Sequence, residues 1–180
     1  MKATGIVRRI DDLGRVVIPK ELRRTLRLRE GDPLEIYTEQ DGALVFKKYL
    51  PLGELTELAE RICEALHRNT GFPAAVCDRD SVIAAAGPGR QELAGRRLSQ
   101  SLRRRLEERE RCCPMGRGVP VAMAEGGAGT LGAAVPILDR GDLLGGVLLG
   151  AEPERGRWPG DFERRLLEVM ASFLGRQMEG

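Results

Sequence analysis

LGRVVIPKELRRTLRLREGD, residues Leu13 to Asp32, brings a β-branched run, a proline and a basic helical pattern together in 20 residues. Pro19 stops a strand and suits the first turn of a helix, because its fixed φ and missing N–H cost nothing there. KELRRTLRL then sets Leu22 and Leu26 at i and i+4 on one apolar edge and leaves Arg23, Arg24 and Arg27 off it. Working outward, GRVVI (14–18) and TGIVRRI (4–10) read as two short strands separated by Asp11-Asp12-Leu13. On the other side REGDP turns the chain, PLEIYTE alternates apolar and polar residues, and Gln40-Asp41-Gly42 leads into ALVFKK, which predicts a hairpin.

Charge sharpens this reading. Between Lys2 and Arg29 nine bases (Lys2, Arg8, Arg9, Arg15, Lys20, Arg23, Arg24, Arg27, Arg29) face three acids (Asp11, Asp12, Glu21), a net +6. Residues 30–46 hold five acids and no base, although the whole chain is only +2. Such one-sided concentration is the electrostatic footprint of a polyanion-binding surface. A module of about 50 residues also buries too little surface to be comfortable alone, and needs a metal, a disulfide or a partner chain. The cysteines are Cys63, Cys77, Cys112 and Cys113, without CxxC or spaced pairs, so neither a disulfide framework nor a zinc site is written here. The module is therefore expected to be an obligate homodimer in which strands of two chains complete one core.

From Pro51 the composition shifts. GELTELAERICEALHRNT places Leu55, Leu58, Ile62, Ala65 and Leu66 on one helical face, with Gly71 as its end. AAVCD (74–78) and SVIAAA (81–86) read as a hairpin, and SQSLRRRLEERERCC as a helix with Leu102 and Leu106 inward. VPVAMAE, TLGAAVPIL and DLLGGVLLGA supply three further strands, the last two antiparallel around Asp139-Arg140-Gly141. DFERRLLEVMASFLGRQM closes the chain as an amphipathic helix after Pro159-Gly160-Asp161, with Phe162, Leu166, Val169, Met170 and Phe173 on its apolar side. The expectation is a mainly antiparallel sheet of about five strands, the first and last helices on one face, and a pocket on the other under residues 87–130.

Other signals have plainer explanations. GAGTLG, Gly127 to Gly132, matches GxGxxG literally, with Glu152 twenty residues on, yet a strand pattern containing Pro136 follows it rather than the helix a dinucleotide fingerprint must open. Cys112-Cys113 between Arg109, Arg111 and Pro114 would suit a redox sensor, but adjacent cysteines chelate one metal poorly. His67, the only histidine, is expected at the surface. RRRLEERER (103–111) interleaves signs, Arg103 with Glu107 and Arg104 with Glu108, as a solvated helix face. Trp158 is expected to anchor its loop to the last helix. No nucleophile elbow, HExxH or paired carboxylates can be assembled, which argues against an enzyme. LLGGVLLGA (143–151), the longest apolar run, is shorter than the ~18 residues of a membrane span, so a soluble cytoplasmic protein is expected.

KATGIVRRIDDLGRVVIPKELRRTLRLREGDPLEIYTEQDGALVFKKY resembles, almost position for position, the AbrB-type swapped-hairpin DNA-binding domain of bacterial transition-state regulators. The whole-chain organisation, with its closing FLGRQME, is similar to sporulation regulators that join such a domain to a GAF-like one. The resemblance implies an α+β chain: a swapped-hairpin, β-barrel-like dimerisation and DNA-binding domain at 1–50, a linker at 51–54, and a GAF-like regulatory and oligomerisation domain with a mainly antiparallel sheet at 55–180. It implies a transcription factor of spore-forming bacteria, cytoplasmic and nucleoid-associated, dimeric through its N-terminal hairpins and tetrameric once the GAF-like domains pair. The family's DNA-contacting arginines match Arg8, Arg15, Arg23 and Arg24, with Lys2, Arg9 and Lys47 peripheral. Guanidinium forks grip phosphates or guanine edges, and without a long recognition helix, double-stranded DNA that is AT-rich or deformable is the expected target. GAF domains bind small ligands such as nucleotides, amino acids or tetrapyrroles. No such ligand motif is found residue by residue, so no cofactor or metal is expected and a small-molecule ligand stays unidentified. The alternatives are an antitoxin-like partner-binding protein and a redox or small-molecule sensor through Cys112 and Cys113.

Overall fold

Pro19 starts the first regular element. Its carbonyl accepts a hydrogen bond from the Arg23 N–H at 2.9 Å, opening α1, Lys20–Leu26. The computed structural model describes residues 5–26, 28–48, 55–110 and 120–177, and the chain divides into two compact units, Met1–Tyr49 and Leu50–Gly180. In the first unit α1 is followed by an antiparallel hairpin of β1, Leu34–Thr38, and β2, Leu44–Lys48, with Ile36 opposite Phe46 and Tyr37 opposite Val45. Gly42, at φ +83°, lets the hairpin loop close: its N–H donates to Glu39 O at 3.0 Å and the Asp41 carboxylate caps the Ala43 N–H at 3.0 Å.

The two strands expected at 4–10 and 14–18 are absent among the described residues, although the turn between them forms. Among the described residues neither outer edge of the β1–β2 hairpin pairs with these segments. The consequence is visible in the side chains. Ile6, Val7, Ile10, Leu13, Val16, Val17, Leu26, Ile36, Tyr37, Leu44 and Phe46 are all exposed, and the described core residues begin only at Ala59. Leu26 is 58 % exposed and Leu22 half-buried, so the apolar edge of α1 is only partly covered.

The second unit is built on a four-stranded antiparallel sheet, order β4-β3-β6-β5, of β3 (Ala74–Asp78), β4 (Val82–Ala86), β5 (Thr130–Asp139) and β6 (Asp142–Ala151). β3 is buried along its whole length, as a central strand of small and branched residues should be. Two helices, α2 (Thr56–Thr70) and α5 (Asp161–Arg176), cover one face. There Ala59, Ile62, Cys63 and Leu66 of α2 and Leu167, Ala171 and Leu174 of α5 meet Val76, Val135, Ile137 and Leu149. Gly71, in the left-handed conformation, ends α2 where the sequence places it. Ala65 faces out, and Cys63 takes the inward position.

The opposite face carries α3 (Arg90–Leu93) and α4 (Gln100–Glu107). Ser99 caps α4, accepting the Leu102 N–H at 3.1 Å while its hydroxyl donates to Ala122 O at 2.6 Å. VPVAMAE forms isolated bridges (Leu98 with Ala124, Ala122 with Thr130) instead of a fifth strand. Its backbone is drawn into a tight loop in which Met123 N–H donates to Gly129 O and Ala124 N–H to Ala128 O. The pocket expected on this face is filled, among the described residues, by Leu93, Leu98, Leu102, Leu106 and Met123. A cleft of about 50 Å³ beside Pro73, Glu92 and Thr130 has room for a water or two.

The apolar side assigned to α5 from the sequence is corrected in part, since Leu166 and Met170 do pack against the core. Leu167, Ala171, Leu174 and Gly175 face the sheet, whereas Phe162, Val169 and Phe173 are exposed. A Cβ at Gly175 would collide with Leu138 O, so the glycine allows the helix to lie directly on the end of β5. At 100° per residue, positions 162, 169 and 173 then fall nearly opposite the buried ones. Among the described residues no helix is long and apolar enough to cross a membrane.

Candidate nucleic-acid interface

The arginines singled out by the sequence occupy three successive local elements of the first unit. Arg8 and Arg9 lie on the irregular segment before the first turn, both exposed, and Arg8 Nη1 donates to the preceding Val7 O at 3.1 Å. Arg15 closes that turn. The Asp11 N–H donates to Arg15 O at 3.0 Å, the Gly14 N–H to Asp11 O at 3.0 Å, and Gly14 sits at φ +75°, where a side chain would be strained. One carboxylate oxygen of Asp11 also accepts both the Leu13 N–H (3.0 Å) and the Arg15 N–H (2.7 Å). Arg23 and Arg24 are neighbours on α1, exposed in its last turn, where a cation also suits the helix dipole.

Among the described residues Arg8, Arg9, Arg15, Arg23 and Arg24 have no ion-pair partner. Lys47, on β2, is placed differently. Its Nζ stands 4.4 Å over the Tyr37 ring, a cation–π contact across the hairpin that occupies the ammonium. Strand alternation foreshadows that pairing, since Lys47 lies two residues beyond the partner of Tyr37. Lys2, the linker 51–54 and the pair Cys112-Cys113 lie outside the described residues. The clasp by Asp11 is the feature sequence reading missed; an Asp followed by a Gly three residues later is its signature.

The remaining signals resolve into structure. Gly127 (φ +81°) and Gly129 (φ +64°) lead into β5, so GAGTLG opens a strand, and Glu152 holds Arg157 at 2.8 Å. His67 is half-buried rather than at the surface: its Nδ1 is 2.8 Å from Phe72 O, which fixes the proton on that nitrogen, and its ring fills the space above Gly87. Arg104 pairs with Glu108 at 2.8 Å as expected, whereas Arg103 reaches toward Glu125 at 4.0 Å. Trp158 is half-buried, and the adjacent Pro159 is the residue that seats the loop, against Gly132. Among the described residues no group of His, Cys, Asp and Glu is arranged to hold a metal.

Residues 54–179 match the family model described as "Stage V sporulation protein T C-terminal, transcription factor". The chain is 41 % identical over 186 residues to stage V sporulation protein T of Bacillus subtilis, covering 99 % of both chains. The chain belongs to the stage V sporulation protein T family. It is accordingly a sporulation-type transcription regulator, and its two units follow the AbrB-type and GAF-like pattern. Over 51 residues it is 63 % identical to the transition state regulatory protein AbrB of B. subtilis, covering 28 % of this chain and 52 % of that one. Residues 7–49 also match the model "Antidote-toxin recognition MazE, bacterial antitoxin". The GAF domain of an Acinetobacter phosphoenolpyruvate-protein phosphotransferase superposes with a TM-score of 0.51 at 12 % identity, covering 69 % of this chain and 82 % of that one, a likeness of fold alone.

Proposed function

We propose that two chains interleave their first units and present Arg8, Arg15, Arg23 and Arg24, with Lys2, Arg9 and Lys47 at the periphery, to the backbone of double-stranded promoter DNA. The observation that carries this reading is the conjunction on one small unit of eleven uncovered large apolar side chains with four arginines that have no ion-pair partner among the described residues. Covering one Leu- or Val-sized side chain is worth about 1.5–3 kcal/mol. A second copy that covers half of them supplies on the order of 10 kcal/mol, the whole stability of an ordinary domain. Pairing also supplies the missing strand partners for 4–10 and 14–18 and doubles the arginines on one surface. With no long recognition helix among the described residues of the first unit, binding is dominated by phosphates and by DNA shape, which favours AT-rich or deformable sites in the nucleoid.

The second unit is proposed to pair as well, giving a tetramer. Besides the face of α5 on the sheet, its outer side exposes Phe162, Val169 and Phe173, the last two lining a groove of about 630 Å³ with Arg165, Glu168, Ser172 and Arg176; large apolar side chains grouped among charged ones suit an interface between chains. The opposite face of the sheet is filled among the described residues, and assembly is the role proposed for this unit. Fluorescence anisotropy on short AT-rich and GC-rich duplexes, with native mass spectrometry of the complex, tests the proposal. Binding stronger on the AT-rich duplex by an even number of chains is expected; single chains on DNA, or no binding at low salt, would overturn it.

The match of residues 7–49 to an antitoxin model favours a second reading, a unit that docks a toxin. Such proteins wrap their partner with a disordered tail, whereas 55–110 and 120–177 are packed elements here. A stoichiometric small protein retained through purification would support this second reading.

A further inference from the structure

We infer that Asp11 is a positioning residue for DNA binding: it acts through the backbone of Arg15, and its geometry, not its charge, is what the interface needs. The inference rests on the reading of Arg15 as a DNA contact. An acid in the most basic segment of the chain is at first sight a liability, because it repels phosphate and cancels one of nine positive charges. The structure shows what offsets that cost. A single Asp11 Oδ1 accepts the Leu13 N–H at 3.0 Å and the Arg15 N–H at 2.7 Å, while the Asp11 N–H donates to Arg15 O at 3.0 Å. Residues 11 and 15 are therefore joined by two bonds of opposite polarity, and both ends of the five-residue loop are fixed.

Such a loop satisfies the amides of Asp11, Leu13, Gly14 and Arg15 within itself, so it holds its shape without neighbouring elements, and no helix or strand lies within residues 5–19. Pre-organising Arg15 spares the ordering entropy that DNA binding would otherwise cost. Side-chain length decides the fit. Aspartate reaches the amides two and four residues on; glutamate carries the same charge on a longer stem that overshoots them. An asparagine keeps the accepting oxygen and drops the charge.

These two substitutions separate geometry from charge. Full-length wild type, Asp11→Asn, Asp11→Glu, Arg15→Ala and Asp11→Glu/Arg15→Ala would be titrated against an AT-rich duplex across a salt series, with thermal melting and native mass spectrometry on each. The expected order of affinity is Asp11→Asn equal to or tighter than wild type, and Asp11→Glu weaker by about tenfold, the effect of giving up one charge-assisted hydrogen bond to phosphate. Asp11→Glu should also lower the magnitude of the salt slope by about 0.9 for each phosphate no longer neutralised, as Arg15→Ala does. The double variant should be no weaker than Arg15→Ala alone.

Asp11→Glu binding like wild type while Arg15→Ala is impaired would overturn the positioning role and leave Arg15 on DNA. Unimpaired Arg15→Ala would remove the Arg15 reading and this inference with it. A further loss in the double variant, weak binding by Asp11→Asn, or Asp11→Glu that melts early or fails to assemble would each show that Asp11 acts other than through Arg15.

Discussion

Cys63 and Cys77 show how a residue's place decides its chemistry. Both are fully buried, one on α2 against the sheet and one on β3 facing the other core, where its Sγ donates to Gly146 O at 3.4 Å. Burial pushes the Cys63 thiol from 9.0 to about 12, with Glu60 and Glu64 adding and a backbone hydrogen bond from Val76 opposing. Burial, then the neighbouring Asp78, pushes Cys77 up as well. An acid whose folded pKa is raised favours folding fully below its unfolded value and loses that contribution as pH rises toward the folded one. Denaturant stability should therefore hold below pH 9.0 and fall between 9.0 and about 12, and peptide mapping after iodoacetamide should find both thiols unlabelled until the protein unfolds. Rapid labelling of Cys63 in the folded protein would contradict its placement. Inert thiols of this kind look the same in the sequence as reactive ones, because exposure and not spacing separates them.

At the scale of elements, Gly175 gives the sharpest prediction. Glycine to alanine inside a helix ordinarily stabilises by about 1 kcal/mol. Here the added Cβ meets Leu138 O, and overpacking of that kind costs about 1–3 kcal/mol, so Gly175→Ala should lower the melting temperature, while a rise would show that α5 does not rest on β5. Most elements are legible in the residues themselves. The hairpins at Leu34–Lys48, Ala74–Ala86 and Thr130–Ala151 carry strand runs broken by Asp-Gly, Arg-Asp and Arg-Gly turns, and α4 follows its Leu102–Leu106 spacing. The segments at 4–10 and 14–18 are apolar as a strand requires but are not paired in a ladder among the described residues of their own unit, because pairing is set by the neighbouring edge as well as by a segment's own composition. The buried side of α5 is misleading in the sequence because the helix is apolar on two faces and the larger residues lie on the outer one; the small Ala171 and Gly175 mark the contact with the sheet. At the site, Arg15, Arg23 and Arg24 are legible as charge, whereas Asp11 is not, since its role lies in backbone bonds.

The whole molecule has apolar surface left over in both units, and the proposed assembly rests on that. Introducing a charge on the outer face of α5, as in Phe173→Asp, should convert tetramers to dimers in sedimentation velocity without changing the melting of the second unit, because Phe173 is 43 % exposed and outside the core; unchanged tetramers would move the second interface elsewhere. DNA affinity should then fall through lost avidity while the arginines of each pair still reach the duplex. In the proposed complex the basic first unit grips phosphate through Arg23, Arg24 and their neighbours. Measuring duplex affinity against salt for wild type and for Arg23→Ala/Arg24→Ala tests it most directly. A steep wild-type slope is expected, with a variant slope smaller in magnitude by about 0.9 for each phosphate no longer neutralised and the variant weaker on every sequence tried; equal slopes for the two proteins would contradict phosphate contacts by Arg23 and Arg24.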